Sequence, residues 1–436
     1  MPTMDFSSVS PEELKAPEFR SDAERKQFFE AMCAGEIPIP IFFQAMGVDF
    51  TDQEYAAAAI SIGGIPFLSS AAPGFRIVEN DLSHLSHAGR GGLFLDENDQ
   101  HAVAQVDDVH ERHPHAILGG NAMKKLTGFN RAIDAYGKTG KVHILAAGAG
   151  ILESADIQQM QQYPGMELMP IVSSSTAARW TLRVAKQIGA RIRLLLVELP
   201  QFAGGHLGAG SAEEAVQAEK YDPVAILEGI RKFAPHLPVV LAGGIAYRNQ
   251  IKRALEMGYQ GVGIGIRGLL TQESKLPDDI IRDVYLNPRY RVVTNDKSPT
   301  GYPGRYIEVP EEKRSPEARI TYAQRAVRNC ISCIEPGSCL FLQHAKDPTD
   351  EHFCIGRDLP DTRLGRRGGI YFASTERDRM MYDPIYINAE GKPRVPTLEE
   401  ATHFMLTHDA PPMPLRDADG KLPSREKGKN ISSSVS

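Results

Sequence analysis

The chain has 436 residues, of which 42% are hydrophobic and 24% are charged. These proportions are typical of a globular protein and exclude wholesale disorder, a collagen-like chain and a coiled coil. The formal net charge of −6 leaves no basic excess to bind phosphate backbones, so nucleic acid is not expected as a partner. The sequence has no apolar run of about 18 residues and no basic, apolar leader, so we expect a cytoplasmic protein that does not enter a membrane.

Eight short apolar runs recur along the chain, each followed by an amphipathic stretch. The runs lie at residues 38–43, 65–68, 116–120, 142–147, 168–172, 192–197, 238–241 and 261–265. Each is too short for a helix and is typical of a parallel strand buried on both faces. Helices are predicted between them, for example at residues 51–61, 122–136, 175–188, 223–233 and 248–257. This alternation predicts an α/β protein, a closed (β/α)8 TIM barrel over residues 36–275, rather than an open sheet.

Additions to this barrel are predicted at both ends and after the second strand. Residues 1–35 form an N-terminal extension with a helical pattern, in which Ser10 is the predicted N-cap. The long connection after the second run contains GGLFLDENDQHAVAQV, which predicts a hairpin or lid inserted at about residues 77–115. Residues 276–415 form an irregular C-terminal extension, and the polar residues 416–436 are expected to be disordered.

Glycines are concentrated where the last two predicted barrel strands end. Gly243 and Gly244 follow the seventh run, and Gly263 and Gly265 end the eighth. Without side chains, main-chain N–H groups can approach an anion closely, and the loops after these two strands often bind phosphate in such barrels. The pattern therefore predicts a phosphate cradle, although glycines can also serve only to turn the chain.

These glycines belong to the segments AGGIA and VGIGIRGLL. The two segments resemble the flavin phosphate signature of the nitronate monooxygenases, formerly 2-nitropropane dioxygenases, and of the related flavin-dependent enoyl-ACP reductases. PIFFQAMGVDF, LGGNAM and FAGGHLG resemble further elements of that family in the same order. The resemblance covers about residues 36–275. It implies FMN as the cofactor, with these flavin-binding residues: Ala45, Met46, Asn121, Glu198, Gly204, Gly243, Gly244, Gly263, Ile264, Gly265 and Ile266.

His206 follows the sixth predicted strand and has glycines around it at 204, 205, 208 and 210. A neutral imidazole accepts a proton near physiological pH, and its cation can stabilise an anionic ligand. The resemblance implies that His206 is the catalytic or substrate-orienting residue. The alternative is a histidine that only satisfies a loop carbonyl.

Three positions depart from the pattern of the family that the chain resembles. Phe202 stands where an acidic residue is common, Tyr247 where an aspartate is usual, and Ile266 where a threonine is common. Phosphate contacts through main-chain N–H groups tolerate such changes, whereas substrate selectivity depends on side chains. The resemblance therefore implies flavin binding through the main chain, whereas the compound that is oxidised depends on side chains that differ at these positions.

Four cysteines of the C-terminal extension have the spacing C-x2-C-x5-C-x14-C: Cys330, Cys333, Cys339 and Cys354. Thiolates at such spacing can bind zinc or an iron–sulfur cluster. The alternative is that reduced thiols pack in a subdomain of the extension, because a free cysteine behaves as a small hydrophobic residue.

The resemblance implies an FMN-dependent oxidoreductase that oxidises alkyl nitronates with O2 to a carbonyl compound and nitrite. One alternative is an enoyl-thioester reductase that uses NAD(P)H and FMN, for which the extension could serve an acyl carrier partner. Another is a scaffold that holds flavin or metal without turnover. A small-molecule substrate is expected in the first two cases, and a homo-oligomer is compatible with all three.

Overall fold

Eight parallel strands close into a barrel in the order β1-β2-β3-β4-β5-β6-β8-β9. The structure is a computed structural model that describes residues 9–72, 84–417 and 421–423. The strands are β1 (Phe42–Phe43), β2 (Ile65–Ser69), β3 (Gly119–Met123), β4 (Ile144–Gly148), β5 (Glu167–Val172), β6 (Leu195–Glu198), β7 (Gly205–His206), β8 (Val239–Ala242), β9 (Gly261–Ile264), β10 (Arg291–Asn295), β11 (Gly304–Glu308) and β12 (Tyr371–Phe372). The predicted TIM barrel is confirmed.

Helices cover the outside of the barrel and also occur throughout the C-terminal extension. They are α1 (Asp22–Ala34), α2 (Gln53–Ser61), α3 (His87–Arg112), α4 (Phe129–Thr139), α5 (Ser154–Met160), α6 (Ser175–Gln187), α7 (Ala212–Ala215), α8 (Pro223–Arg231), α9 (Arg248–Glu256), α10 (Ile266–Leu269), α11 (Asp278–Ile280), α12 (Pro316–Arg328), α13 (Leu340–Gln343), α14 (Ile355–Arg363), α15 (Arg377–Met380) and α16 (Leu398–Thr407). Ser10 caps a short 3-10 turn, as its sequence context predicts. No helix in these ranges is both long and apolar enough to cross a membrane.

The barrel interior is apolar and is closed at one end by the N-terminal extension. Phe29 and Met32 of α1 pack with strand residues such as Ile144 and Met169 in one buried cluster. The other faces of the strands pack against the surrounding helices, which is why each predicted run is apolar at nearly every position. This core supports the opposite end of the barrel, where the strands finish and the loops begin.

The predicted hairpin after β2 is wrong. Residues 87–112 form the single long helix α3, which begins after the N-cap Ser86. Its buried residues include Phe94, Asn98, Ala102 and Val106, which recur every four positions and therefore lie on one helix face. The short alternating stretch that suggests strands is part of this helical period, and residues 73–83 of the expected insertion lie outside the described residues. The next predicted helix also starts too early, because β3 continues to Met123 in register with β4.

The C-terminal extension is more regular than its sequence suggests. Its strands β10, β11 and β12 form an antiparallel sheet, and β7 of the barrel loop joins that sheet by pairing with β11. In this pairing Gly304 lies opposite His206 and Arg305 lies opposite Gly205. The extension therefore holds the histidine loop directly. Most of the tail expected to be disordered lies outside the described residues.

Candidate active site

A cavity of about 1030 Å³ lies at the carboxyl ends of the barrel strands. The predicted site residues on its wall are Ala45, Met46, Asn121, Glu198, Gly204, His206, Gly243, Gly244, Gly263, Gly265 and Ile266. Ile264 is different, because its side chain is fully buried in the core between the strands and the helices. Its carbonyl oxygen accepts a hydrogen bond from the main-chain N–H of Gln44 at 2.9 Å. The structure thus brings eleven of the twelve predicted residues to one cavity.

The predicted phosphate cradle has the backbone geometry that main-chain anion binding requires. Gly243 and Gly244 have φ angles of 86° and 82°, a left-handed conformation that other residues rarely adopt. A Cβ on Gly243 would lie 2.8 Å from the carbonyl oxygen of Leu199, and one on Gly244 would lie 2.8 Å from the side chain of Phe202. Successive N–H groups in such a turn form a concave site for an anion. These residues fit the phosphate of FMN.

Gln44 is a cavity residue that sequence reasoning missed, although it directly precedes Ala45. Its side-chain nitrogen Nε2 is buried and has no hydrogen-bond partner within the described residues. Buried donors are normally satisfied, because an unmet one costs about 1–3 kcal/mol. A Cβ on Gly263 would lie 2.8 Å from this nitrogen, so the amide stands beside the cradle. An unsatisfied donor here fits a bound cofactor with acceptor atoms, as the isoalloxazine ring of FMN has.

His206 is held by the extension. Its Nε2 lies 2.8 Å from Oγ of Ser298, which in turn lies 2.8 Å from Oγ1 of Thr300. The ring also contacts Phe372 of β12 at a centroid distance of 5.2 Å. The imidazole is partly buried on the cavity wall, and this burial lowers the pKa of His206 to about 4. The ring is therefore neutral near pH 7 and can accept a proton or a hydrogen bond.

Glu198 adds a second titratable group to the cavity wall. Burial raises the pKa of Glu198 to about 7, and the positive charge of Arg305 acts in the opposite direction. Arg305 is buried and donates hydrogen bonds of 2.6 Å to the carbonyl oxygens of Pro200 and Ala203. The arginine thus anchors the loop between β6 and β7 and lies close enough to Glu198 to influence its charge.

Replacing Gly243 with alanine should prevent the cradle from binding the phosphate of FMN. The added Cβ meets main-chain atoms of Leu199 and forces a left-handed backbone on alanine, which costs about 1–2 kcal/mol for the backbone alone. We expect purified Gly243→Ala to retain less than a tenth of the flavin bound by the parent, measured from the visible absorbance after gel filtration. Gly189→Ala is the matched control, since Gly189 has φ 72° and open space around its Cβ. Equal flavin content in the two variants would contradict the assignment.

The four extension cysteines do not form a metal-binding group. Cys333, Cys339 and Cys354 belong to a hydrophobic cluster with Phe341, and all the cysteines are free thiols. Burial raises the pKa of Cys333 to about 12, and the nearby Cys330 and Cys339 act in the same direction. Over residues 9–72, 84–417 and 421–423, no group of three or more His, Cys, Asp and Glu side chains could hold a metal ion. The predicted zinc or iron–sulfur site, which also needed Cys330, is therefore not supported.

Comparison with known proteins identifies the family to which this chain belongs. A family model described as nitronate monooxygenase matches residues 32–310, which include the whole barrel and the strand β11 that pairs with the histidine loop. The chain belongs to the nitronate monooxygenase family. The resemblance seen in AGGIA, VGIGIRGLL and FAGGHLG is thus confirmed. Membership places the chain in a family of flavin-dependent oxidoreductases.

Individual matches of this nitronate monooxygenase family member are distant. A Mycobacterium tuberculosis protein named as a monooxygenase, Rv1533, is 33% identical over 113 residues, so the chain matches 27% of that relative's length and 26% of its own. The structure of nitroalkane oxidase from Streptomyces ansochromogenes has a TM-score of 0.54 at 16% identity, covering 85% of this chain and 95% of that one. FabK from Thermotoga maritima has a TM-score of 0.53 at 16% identity, covering 86% and 94%. The two structures show a shared fold.

Proposed function

We propose that the protein is an FMN-dependent nitronate monooxygenase, which oxidises alkyl nitronates with O2 to a carbonyl compound and nitrite. The observation that carries this proposal is geometric: His206, whose Nε2 is held by Ser298, shares one cavity with the glycine cradle. Membership in the family supports the same reading. FMN would be held by main-chain N–H groups around Gly243, Gly244 and Gly265 and by the side chain of Gln44.

The chain's own groups would orient the substrate and manage its charge. The hydroxyl of Ser298 binds Nε2 of His206 and fixes the plane of the ring, which leaves the other ring nitrogen for a ligand. The nitronate is already deprotonated, so the neutral imidazole would orient it by a hydrogen bond from the free ring nitrogen. The ring would take up a proton from solvent as negative charge develops beside it, and the resulting cation would stabilise that charge. FMN, when bound, supplies the redox chemistry, while the protein supplies positioning and exclusion of water.

The low pKa of His206 predicts an unusual pH profile. An ordinary histidine gains its proton as the pH falls through about 6.5, whereas His206 stays neutral until the pH approaches about 4. If neutral His206 is required, protonation of this residue should not lower kcat/KM for a nitronate between pH 8 and pH 5.5. Below a pH of about 4, kcat/KM should fall tenfold per pH unit. Stopped-flow assays in a constant-ionic-strength buffer test this. Because burial raises the pKa of Glu198 on the same wall to about 7, the assay is repeated with Glu198→Gln, and a loss centred near pH 6.5 that persists in this variant would contradict the prediction.

Anaerobic mixing tests the function itself. The flavin-loaded protein is mixed separately with a propyl nitronate and with NADH or NADPH, and its visible absorbance is followed. We expect the nitronate to bleach the flavin and the nicotinamides to leave it oxidised, with nitrite released after O2 is admitted. Bleaching by NAD(P)H alone would instead support the enoyl-thioester reductase, and bleaching by neither would support the scaffold without turnover.

A further inference from the structure

One part of the cavity wall is formed by large apolar side chains, and we call this part the outer chamber. Its apolar residues are Met46, Phe94, Leu126, Ile331 and Leu359. Phe94 and Ile331 are almost fully buried and pack against each other. These residues come from the loop after β1, from α3, from the loop after β3 and from the C-terminal extension. An apolar wall of this kind favours an apolar ligand, because each buried methylene gains about 0.8 kcal/mol on leaving water.

Specific hydrogen bonds hold the walls of the outer chamber in place. Thr127, next to Leu126, donates from its hydroxyl to the carbonyl oxygen of Ser332 at 2.7 Å. Arg90 of α3 donates from Nε to the carbonyl oxygen of Cys330 at 3.0 Å. An isolated antiparallel bridge also joins Leu126 to Ile334. The extension, α3 and the barrel loop are thus tied together around the chamber.

Asn98 places an amide group on the wall of the outer chamber. Asn98 of α3 lines the cavity and is 8% exposed, and its carbonyl oxygen Oδ1 is buried without a hydrogen-bond partner in the part of the chain that the structure describes. The carboxylates of its neighbours Asp96 and Asp99, in contrast, both accept hydrogen bonds from Arg131. An amide oxygen accepts hydrogen bonds and cannot donate them. Within the described ranges, Oδ1 of Asn98 is therefore an unmet acceptor beside apolar side chains of the chamber.

We propose that the outer chamber binds an extended apolar chain of the substrate and that Oδ1 of Asn98 accepts a hydrogen bond from a donor on this chain. The substrate class is thus a long-chain nitronate whose chain carries a hydroxyl or an amide N–H. That the substrate is a nitronate rests on the proposed function. That it carries an apolar chain with a hydrogen-bond donor rests on the outer chamber alone. Asn98 is then a specificity-determining residue, since a chain without the donor leaves its oxygen unmet.

The test uses ligands that need no turnover. Binding of n-octanol and of octyl methyl ether to the flavin-loaded protein is measured by isothermal titration calorimetry. The two probes share one chain and differ in the hydroxyl donor. We expect Asn98→Leu, which is nearly isosteric, to lower the ratio of alcohol affinity to ether affinity by about tenfold, the factor that corresponds to a hydrogen bond of about 1.4 kcal/mol.

Asn329→Leu is the matched control, because Asn329 also has a buried Oδ1 without a partner in the described ranges but does not line the cavity. Its affinity ratio should equal that of the parent. An unchanged ratio in Asn98→Leu, or an equal change in both variants, would overturn the role of Asn98. Because no reaction is needed, these results stand even if nitronates prove not to be oxidised.

A second measurement tests the chamber independently of Asn98. We expect the affinity for n-alkyl alcohols to rise about fourfold per added methylene from butyl to octyl, the factor that corresponds to about 0.8 kcal/mol. Leu359→Trp should fill the chamber and flatten this series. Val327→Trp, at an exposed site on α12, should leave it steep. A flat series in the parent protein would overturn the chamber as the chain-binding site.

Discussion

Replacing His206 with asparagine is expected to lower kcat/KM for a nitronate by at least about 100-fold, the lower end of what a positioned acid or base contributes. Asparagine keeps a polar side chain of similar reach but cannot take up a proton. The flavin content should not change, because the cradle at Gly243 and Gly244 lies on other loops. Activity and flavin absorbance measured on the same preparation separate the two effects.

His143 provides the matched control for this variant. Burial also lowers the pKa of His143 to about 4, but this residue is not on the cavity wall, and its Nδ1 accepts a hydrogen bond from the main-chain N–H of Leu118. His143→Asn should therefore reduce stability rather than kcat/KM per bound flavin. Full activity in His206→Asn would exclude the catalytic role and leave the histidine as a loop-stabilising residue.

Asp383→Leu is expected to destabilise the protein by about 3–5 kcal/mol, the usual cost of leaving one member of a buried ion pair without its partner. Asp383 accepts a hydrogen bond of 2.7 Å from Arg267, and their side chains are 4% and 1% exposed. The hydroxyl of Tyr247 also donates to this carboxylate at 3.0 Å. Since Arg267 follows the cradle residue Ile266, the pair joins the extension to the phosphate loop.

Chemical denaturation of the flavin-free proteins measures this effect, because bound flavin would add its own stabilisation. The double variant Arg267→Met, Asp383→Leu should be more stable than Asp383→Leu alone, since it removes the uncompensated charge. Asp409→Leu is the comparison at the surface, where the Arg248–Asp409 pair is about half exposed and is worth about 0–1 kcal/mol. Equal losses in Asp383→Leu and Asp409→Leu would show that the buried pair has no special weight.

The sequence predicts the barrel well because its signal is local. Eight apolar runs in alternation with helices require only the periodicity of each element, and all eight are strands in the structure. The hairpin prediction for the α3 region is wrong for a physical reason. Over a short stretch that includes Gly91 and Gly92, the alternation of apolar and polar residues typical of a strand cannot be distinguished from the periodicity of a helix. The full helix becomes clear only when Phe94, Asn98 and Ala102 are seen on one face.

The site residues also differ in whether a local sequence signal or only a long-range contact places them at the cavity. Residues at strand ends, such as Gly243 and Gly265, could be placed at the cavity because parallel strands bring their carboxyl ends to one edge. Ser298 could not, because it reaches His206 from 92 positions away through the pairing of β7 with β11. Asn98 also gave no signal, since only packing shows which face of α3 meets the cavity. No motif in one sequence encodes these long-range pairings.

Arg305 lies outside the barrel but affects the pKa of a residue on the cavity wall. This arginine belongs to the extension, yet its charge reaches the carboxyl of Glu198 at the end of β6. Replacing Arg305 would therefore change the proton affinity of a barrel residue without altering any barrel position. A barrel without the extension would also lose the contact between Ser298 and His206, so it would not be a fair substitute for the whole enzyme.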